Sequence, residues 1–543
     1  MSKNEVLATL TACVESYSNP ALAPWSTKIW DSLKYEVWNG DVDDFIRSSL
    51  KVLHALSSSL SRKSYDWSSL DSPLALYIVQ TAKECKERLQ DSKKQFTRRT
   101  GEILSVIASG SPYAFQLVIK EVLPSLNTIW QDLRLGSEKT LLLGVFNNIL
   151  VARLALPDIS NPTATYSADQ AALLTVERQN MAKLATDFSK FSQNLVDVYF
   201  GAFADSEVAS TSTPDPTLTV AAIKGLTLLF QIPEYLSTVE QGMIVQKLND
   251  LATSPEQDAE VSRTVVESLQ QICSIEPMIF RENTLLDFLQ KLPEKLSTDS
   301  DSEDLDVIVR YLESLIEICC TVVCKKEITT KPPVTAASSF WHRNFDAMVE
   351  KLLIKFTAVM SDNGQLQYAS AIVASIANAI EKFDKTVNEA HITTKLPIPN
   401  DSSVGPYDYI VLGLFREIVV QKVDSNGQLY VGLKSSSTSV ELDRLVNMIG
   451  KVTTFALRSK LVTPSNNLVL TWNRNFLKEP SAIWSLFTHT GDGLLSSTQK
   501  NLQRGPRDKC LVNILSASLL AAMPPKVRFS RICTVHVLIT RKE

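Results

Sequence analysis

Cys319, Cys320 and Cys324 are the densest grouping of thiols in this chain of 543 residues, and thiolates one helical turn apart are the raw material of a metal or redox site. On a helix, Cys320 and Cys324 share a face. A zinc or iron-sulfur centre, however, takes four ligands in paired short spacings, and the sequence places no second cysteine pair and no histidine beside this one. Cys319 also continues an apolar stripe, so the three read first as small core residues, with a metal or redox site as the alternative.

Other chemistry is harder to assemble. His54, His342, His391, His489 and His536 stand far apart and form no paired zinc-binding arrangement. No Walker-type phosphate loop, no dinucleotide-binding glycine fingerprint and no nucleophile elbow occurs. The expectation is a protein that is not an enzyme: no residue is assigned a catalytic, cofactor-binding or metal-binding role, no cofactor is implied, and the partner-binding residues are not specified by type or spacing. Trp30, Trp38, Trp67, Trp130 and Trp341 suit two roles, as interface anchors or as seals between packed helices, the commoner role of a large aromatic.

The elements behind these residues are helices. Leu305, Ile308, Val309, Leu312, Leu315, Ile316 and Cys319 recur at intervals of three and four, which puts them on one face that a neighbour must bury. Asp299, Asp301, Glu303 and Asp304 precede it, where acids complement the positive end of a helix dipole. The same period appears in Ile46, Leu50, Leu53 and Leu60, in Val261, Val265, Leu269 and Ile272, and in Ile372, Ile376, Ile380 and Phe383. Between such segments fall turn signals: Asp71-Ser72-Pro73, Gly110-Ser111-Pro112, Thr253-Ser254-Pro255 and Ile275-Glu276-Pro277. Short turns between amphipathic helices make antiparallel pairs, and pairs recurring about every 40 residues are the mark of HEAT or armadillo repeats. Only 17 residues are glycine, under half the average usage of ~7%. The fold class predicted is all-α, an α-solenoid of degenerate HEAT/armadillo-type helical hairpins. Val122-Leu123-Pro124 and Lys291-Leu292-Pro293 sit at comparable places, where a proline kink within a helix is expected.

The domain reading is helical repeats over 1–204, a loop at 205–216, repeats over 217–324, a loop at 325–339, repeats over 340–392, an irregular insertion at 393–438, repeats over 439–527 and an atypical tail at 528–543. Within the insertion, Leu429-Tyr430-Val431 suits one side of a small hairpin. The loops and the insertion are the expected disordered or partner-binding segments.

Bulk properties narrow the function. With 55 basic and 59 acidic residues the net charge is only -4, so nothing predicts direct nucleic-acid binding. The most apolar stretch, Leu511 to Met523, is shorter than the ~20 residues of a membrane span and reads as a packed helix. Val6 to Val14 is too short for a secretory leader and has Glu5 beside it. Eight scattered cysteines fit a reducing compartment, so cytoplasm and nucleus are the expected locations.

A family resemblance adds to this. Lys34-Tyr35-Glu36-Val37-Trp38, then Ile46 through Leu56, then Leu60-Ser61-Arg62 resemble the MMS nineteen nucleotide excision repair protein family, its fungal members most of all. In the same order follow Val122-Leu123-Pro124-Ser125-Leu126, Glu138 through Leu143, Ala222 through Leu228, Ile232-Pro233-Glu234-Tyr235-Leu236, Val265 through Leu269 and Lys291 through Leu296. These are packing residues, and their collinearity over roughly the first 300 positions carries the resemblance. It implies a HEAT-repeat adaptor of the cytosolic iron-sulfur assembly targeting complex, delivering clusters to apo-proteins such as helicases and polymerases of DNA repair, replication and transcription while binding no cluster itself. It also implies that N-terminal and C-terminal repeats of the family are missing from this chain, which reads as truncated, the basic run from Arg528 to Glu543 standing where another repeat is expected. The alternative within the same fold is a karyopherin-like nuclear transport receptor.

Overall fold

The computed structural model describes residues 2–61, 70–91, 96–156, 168–208, 216–254, 258–294, 296, 301–320, 340–361 and 365–389, with short stretches between 414 and 452. The helices are α1 (Lys3–Ser16), α2 (Asn19–Leu22), α3 (Ser26–Asn39), α4 (Asp43–Ser61), α5 (Pro73–Gln90), α6 (Thr97–Ala108), α7 (Pro112–Asp132), α8 (Gly136–Ala155), α9 (Ala168–Ser189), α10 (Ser192–Val208), α11 (Pro216–Gln231), α12 (Thr238–Ala252) and α13 (Ala259–Ile275). A wide turn at Phe280–Thr284 leads into α14 (Leu285–Lys291), followed by α15 (Asp301–Cys320), α16 (Phe340–Ser361) and α17 (Leu366–Glu389). Among the described residues the fold is all-α apart from one antiparallel pair, β1 (Gln421–Val423) with β2 (Leu429–Val431), in register Gln421 to Val431. The chain forms two compact units, Met1–Ile244 with Asp258–Ser268, and Val245–Gln257 with Leu269–Glu543.

In the first unit the helices alternate between two layers. One runs α1, α4, α6, α8, α11, each against the next; the other runs α3, α5, α7, α9. Each hairpin buries its apolar stripe against its neighbours, which is how a solenoid of repeats acquires a continuous core. Ser72 and Ser111 show how the borders are set. Each hydroxyl accepts from the amide three residues on, at 3.1 Å, with Pro73 or Pro112 as the first helical residue. This is the capping chemistry that stops one helix and starts another. Ser2 and Glu5 make a reciprocal capping box for α1.

Between α4 and α6 lies a ladder of serines. Ser57 donates to the Ile107 carbonyl at 2.8 Å, Ser58 to that of Gly110 at 3.1 Å, and Ser61 to the Ser111 hydroxyl at 2.6 Å. The carbonyls at the end of α6 have no partner within their own helix, so α4 supplies it. Gly110 is required here: a Cβ would lie 2.3 Å from the Ser57 hydroxyl and 2.5 Å from its Cβ. Elsewhere Asp187 of α9 accepts from Gln116 of α7 at 2.7 Å and pairs with Lys120 at 3.2 Å and Lys190 at 2.8 Å. Phe188 stacks on Tyr235 at 4.5 Å and meets Phe115 edge-on at 5.4 Å.

In the second unit, side chains of one helix bond backbone carbonyls of segments distant in sequence. Asn344 donates to the Pro277 carbonyl at 2.9 Å, Tyr368 to that of Pro293 at 3.0 Å and Gln270 to that of Glu317 at 3.0 Å. Tyr311 donates to the Thr253 carbonyl and Lys382 bonds Glu317. Phe345 and Phe383 stack at 4.3 Å.

The periodic stripes are buried as expected: Ile308, Leu312, Leu315, Ile316 and Cys319 on α15, and Ile372, Ile376, Ile380 and Phe383 on α17. Two expectations need correction. Asp205–Val208 complete α10 and Pro216 opens α11, so both ends of the segment expected as a loop at 205–216 are helical; residues 209–215 lie outside the described residues. Pro124 does lie inside α7, but Pro293 follows the end of α14 at Lys291, where a proline stops a helix instead of bending it. The hairpin at Leu429–Val431 forms. The loop at 325–339, the segment Leu511 to Met523 and the tail at 528–543 lie outside the described residues.

Candidate interaction surface

The thiols come first. Cys319 and Cys320 are buried at the end of α15, and Cys273 of α13 is buried as well. Burial pushes the Cys319 thiol well above its ordinary pKa, and the bond to Cys320 and the nearby Cys273 and Asp346 add to that. Burial likewise pushes Cys273 up to about 12. Thiols held protonated in an apolar setting are neither nucleophiles nor ready metal ligands. Among the described residues no three metal-ligating side chains converge. Cys324 lies outside them, as do His391, His489 and His536.

The tryptophans divide. Trp30 is buried and donates its indole N–H to Glu84 at 3.1 Å, joining α3 to α5. Trp38 is buried edge-on to Trp30 and Phe96, with the Arg88 guanidinium 5.6 Å above its ring. Trp130 is buried beneath Lys139. All three seal joints between helices. Trp67 and the side chain of Trp341 lie outside the described residues. Among the described residues, the exposed indole is one the sequence did not single out, Trp25, 57% accessible with Lys28 4.8 Å over its ring.

His54 is exposed on α4, its Nδ1 3.4 Å from both the Ser109 hydroxyl and the Val106 carbonyl. A serine at that distance with no third group to orient the ring makes a helix-end contact, not a nucleophile.

One exposed strip of surface lies on α8. Leu141 and Val151 are exposed, with Ala155 beyond them, and Gly144 and Asn148 fall between on the same helical face. A Cβ at Gly144 would find no atom within 4 Å. Two adjacent asparagines behave differently. Asn147 is fully engaged, donating to the Ala221 carbonyl at 3.0 Å and accepting from Tyr199 at 2.7 Å, which ties α8 to α10 and α11. Asn148, half-buried, rests its carboxamide against Gly101 of α6, where a Cβ would lie 2.6 Å from the amide nitrogen. What this arrangement offers is shape, apolar contact and an amide, which is recognition chemistry.

No helix among the described residues is long and apolar enough to cross a membrane. No protein-family model matches the chain. Curated relatives do match it. The zebrafish (Danio rerio) MMS19 nucleotide excision repair protein homolog is 24% identical over 293 residues, 54% of this chain and 26% of that protein. The Xenopus laevis homolog is 22% identical over 306 residues, 56% of this chain and 26% of that protein. The human homolog is 20% identical over 333 residues, 61% of this chain and 29% of that protein. The match thus spans between a quarter and a third of the relatives' length. An engineered protein of known structure aligns at a TM-score of 0.27 with 14% identity, covering 95% of this chain and 99% of its own, a score that says nothing about the fold. The resemblance read from the sequence is carried by these homologues: over more than half its length, this chain is similar to the MMS19 nucleotide excision repair proteins.

Proposed function

We propose that this chain is a non-catalytic helical-repeat scaffold that brings iron-sulfur assembly factors to apo-proteins of DNA repair, replication and transcription, in the cytoplasm and nucleus. The observation that carries it is the collinear similarity to MMS19 nucleotide excision repair proteins over 293 residues. Stacked hairpins support the reading, since such a surface binds partners without a pocket, and the buried, protonated state of Cys319 fits a scaffold that handles clusters held by others. Its partners on this reading are the targeting subunits and the client helicases and polymerases, without direct contact to nucleic acid or membrane. The transport-receptor alternative finds no support in relatives named for excision repair.

Affinity capture from cell extract with the purified chain tests the proposal. Enrichment of iron-sulfur helicases and polymerases over an unrelated helical-repeat protein is the expected result. Equal recovery with both baits would end it. Binding to a GTP-loaded transport GTPase would favour the alternative.

A further inference from the structure

Two kinds of joint hold the first unit together, and they fall on opposite layers. Along α4, α6, α8 and α11, each joint has a glycine pressed against the neighbouring helix. Gly110 meets Ser57 between α6 and α4. Between α6 and α8, a Cβ at Gly101 would lie 2.6 Å from the Asn148 amide nitrogen and 3.3 Å from the Val145 Cα. Between α11 and α8, a Cβ at Gly225 would lie 2.6 Å from the Asn147 carboxamide oxygen. Along α3, α5, α7 and α9, each joint instead carries a lysine facing an acid. Lys34 lies 3.7 Å from Glu84, Lys86 lies 3.4 Å from Glu121, and Lys120 lies 3.2 Å from Asp187. The direction never reverses: the lysine belongs to the earlier helix and the acid to the later one.

From this division we infer that the first unit bends about its glycine-packed layer, and that the three lysine-to-acid rungs are catches that hold the other layer closed until salt releases them. The inference goes beyond the scaffold reading and does not depend on what the chain binds.

The two joints differ in what a small displacement costs. Atoms brought together at a glycine have no room to move closer, and close-packed contacts resist deformation. A lysine ammonium on its flexible stem follows an acid through small shifts. Its attraction is also modest, because the three lysines are 33–53% accessible and their acids 15–30%, and pairs this open to water are screened by salt. Across the glycine layer the ion pair of Arg99 with Asp43, at 3.4 Å, bridges α6 and α4 as well, but the bonds from Ser57 and Ser58 hold that joint without charge.

Opening a rung strands few of its groups. Lys34 keeps Asp31 at 2.7 Å. Glu84 keeps the Trp30 indole N–H at 3.1 Å, and Asp187 keeps Gln116 at 2.7 Å and Lys190 at 2.8 Å. The core stays packed too: Phe115 and Phe188 are buried edge-on between α7 and α9, while Lys120 lies toward solvent. Release therefore lets the outer edges of these helices part. Helix shifts at packed interfaces run to about 1–2 Å, so three joints opening together separate α3 from α9 by roughly 3–6 Å.

The test uses the full chain with spin labels carried on a ketone-bearing residue, which leaves the native cysteines untouched. One sample has them in place of Ser32 of α3 and Ala185 of α9, the other in place of Lys51 of α4 and Lys224 of α11, all exposed positions. Distances are read by pulsed electron spin resonance from about 0.1 to about 1 M sodium chloride, where the screening length falls from about 10 Å to about 3 Å. The α3-to-α9 distance should lengthen by roughly 3–6 Å, and the α4-to-α11 distance should hold. Combining Lys34→Met, Lys86→Met and Lys120→Met should give the longer α3-to-α9 distance already at low salt and abolish the response. Exchanging one rung, Lys86→Glu with Glu121→Lys, should preserve it. The inference is overturned by an α3-to-α9 distance that salt leaves unchanged in the native chain, by an equal change across both layers, or by a triple variant that responds as the native chain does.

Discussion

Tyr199 of α10 and Gly225 of α11 are packed so closely that a Cβ at 225 would fall 2.0 Å from the tyrosine ring. The contact closes a triangle, because Tyr199 also donates to Asn147 of α8, and Asn147 in turn reaches α11 at Ala221. Three helices meet there around the Tyr199 ring. Gly225→Ala should cost about 1–3 kcal/mol, the usual penalty for overpacking a core, read as a lower urea midpoint. Because Tyr199 is what the new methyl strikes, the double variant with Tyr199→Ala should lose less than the two single losses added together. Additive losses would show that the two residues do not meet.

How much of this was legible beforehand depends on where polarity marks a face. Ile308 through Cys319 declared their buried side because Asp306, Glu313 and Glu317 occupy the other. Helix α8 did not. From Leu141 to Leu156 it is apolar nearly all round, so periodicity could not say that Leu141 and Val151 face outward while Leu142 and Val145 are buried. Nor does adjacency reveal that Asn147 is structural and Asn148 open. That distinction arises from α10 and α11, distant in sequence. The serine ladder was hidden for a similar reason: Ser57, Ser58 and Ser61 look like solvent-facing residues until α6 ends beside them.

Gly110 gives a second, separable prediction. Its substitution by alanine pushes a methyl into Ser57 and toward the Ser58 amide, which would lie 3.0 Å away. Part of the damage is loss of the Ser57 bond to Ile107. Gly110→Ala should destabilise the chain by about 1–3 kcal/mol, and Ser57→Ala by about 1 kcal/mol, since the buried carbonyl loses its donor. Circular dichroism melts of the two variants would check the order; a Ser57→Ala loss exceeding that of Gly110→Ala contradicts it.

Glu234 runs the opposite way. It occupies the left-handed region at φ 56, at the corner of the turn Ile232 to Tyr235, with Pro233 before it. A non-glycine residue there is strained by about 1–2 kcal/mol, and proline followed by glycine suits such a turn. The strain is sustained because the turn delivers Tyr235 onto Phe188, stacked at 4.5 Å with its hydroxyl 3.4 Å from the Phe188 carbonyl. Glu234→Gly should therefore stabilise the chain, by about 0.5–1 kcal/mol once the added freedom of the unfolded glycine is subtracted. A lowered melting temperature would show that the side chain of Glu234 contributes something the strain argument misses.

Acid should loosen the joint between α7 and α9. Asp187 is held at a pKa of about 2, first by the hydrogen bond from Lys190, then by those from Gln116 and Lys120. An unfolded aspartate titrates near ~3.9, so the folded value is depressed. The stability this provides is fully present above that value and is lost as pH falls from about 4 to about 2. Lys120 and Lys190 are more than half exposed, so screening trims the contribution to about 1–2 kcal/mol. Urea unfolding between pH 2 and 7 should show a slope that Asp187→Asn removes. An identical slope in the variant would assign the acid sensitivity to other carboxylates.

The thiols offer the last test, and it separates a core role from a chemical one. Cys85 and Cys319, both buried, have pKa values pushed up by burial, and Cys273 is pushed up to about 12 by the same cause. At neutral pH these groups are thiols, and the thiolate is the reactive form. Modification by an aromatic disulfide reagent should reach Cys13, which is partly exposed, while Cys85, Cys273 and Cys319 react only at the rate at which the chain opens, accelerating together as urea is added. Mass spectrometry of the labelled peptides distinguishes the sites. Rapid labelling of Cys319 in the folded chain, faster than that of Cys85, would mean that the end of α15 opens on its own, and a redox or metal role there would regain the weight that burial now denies it.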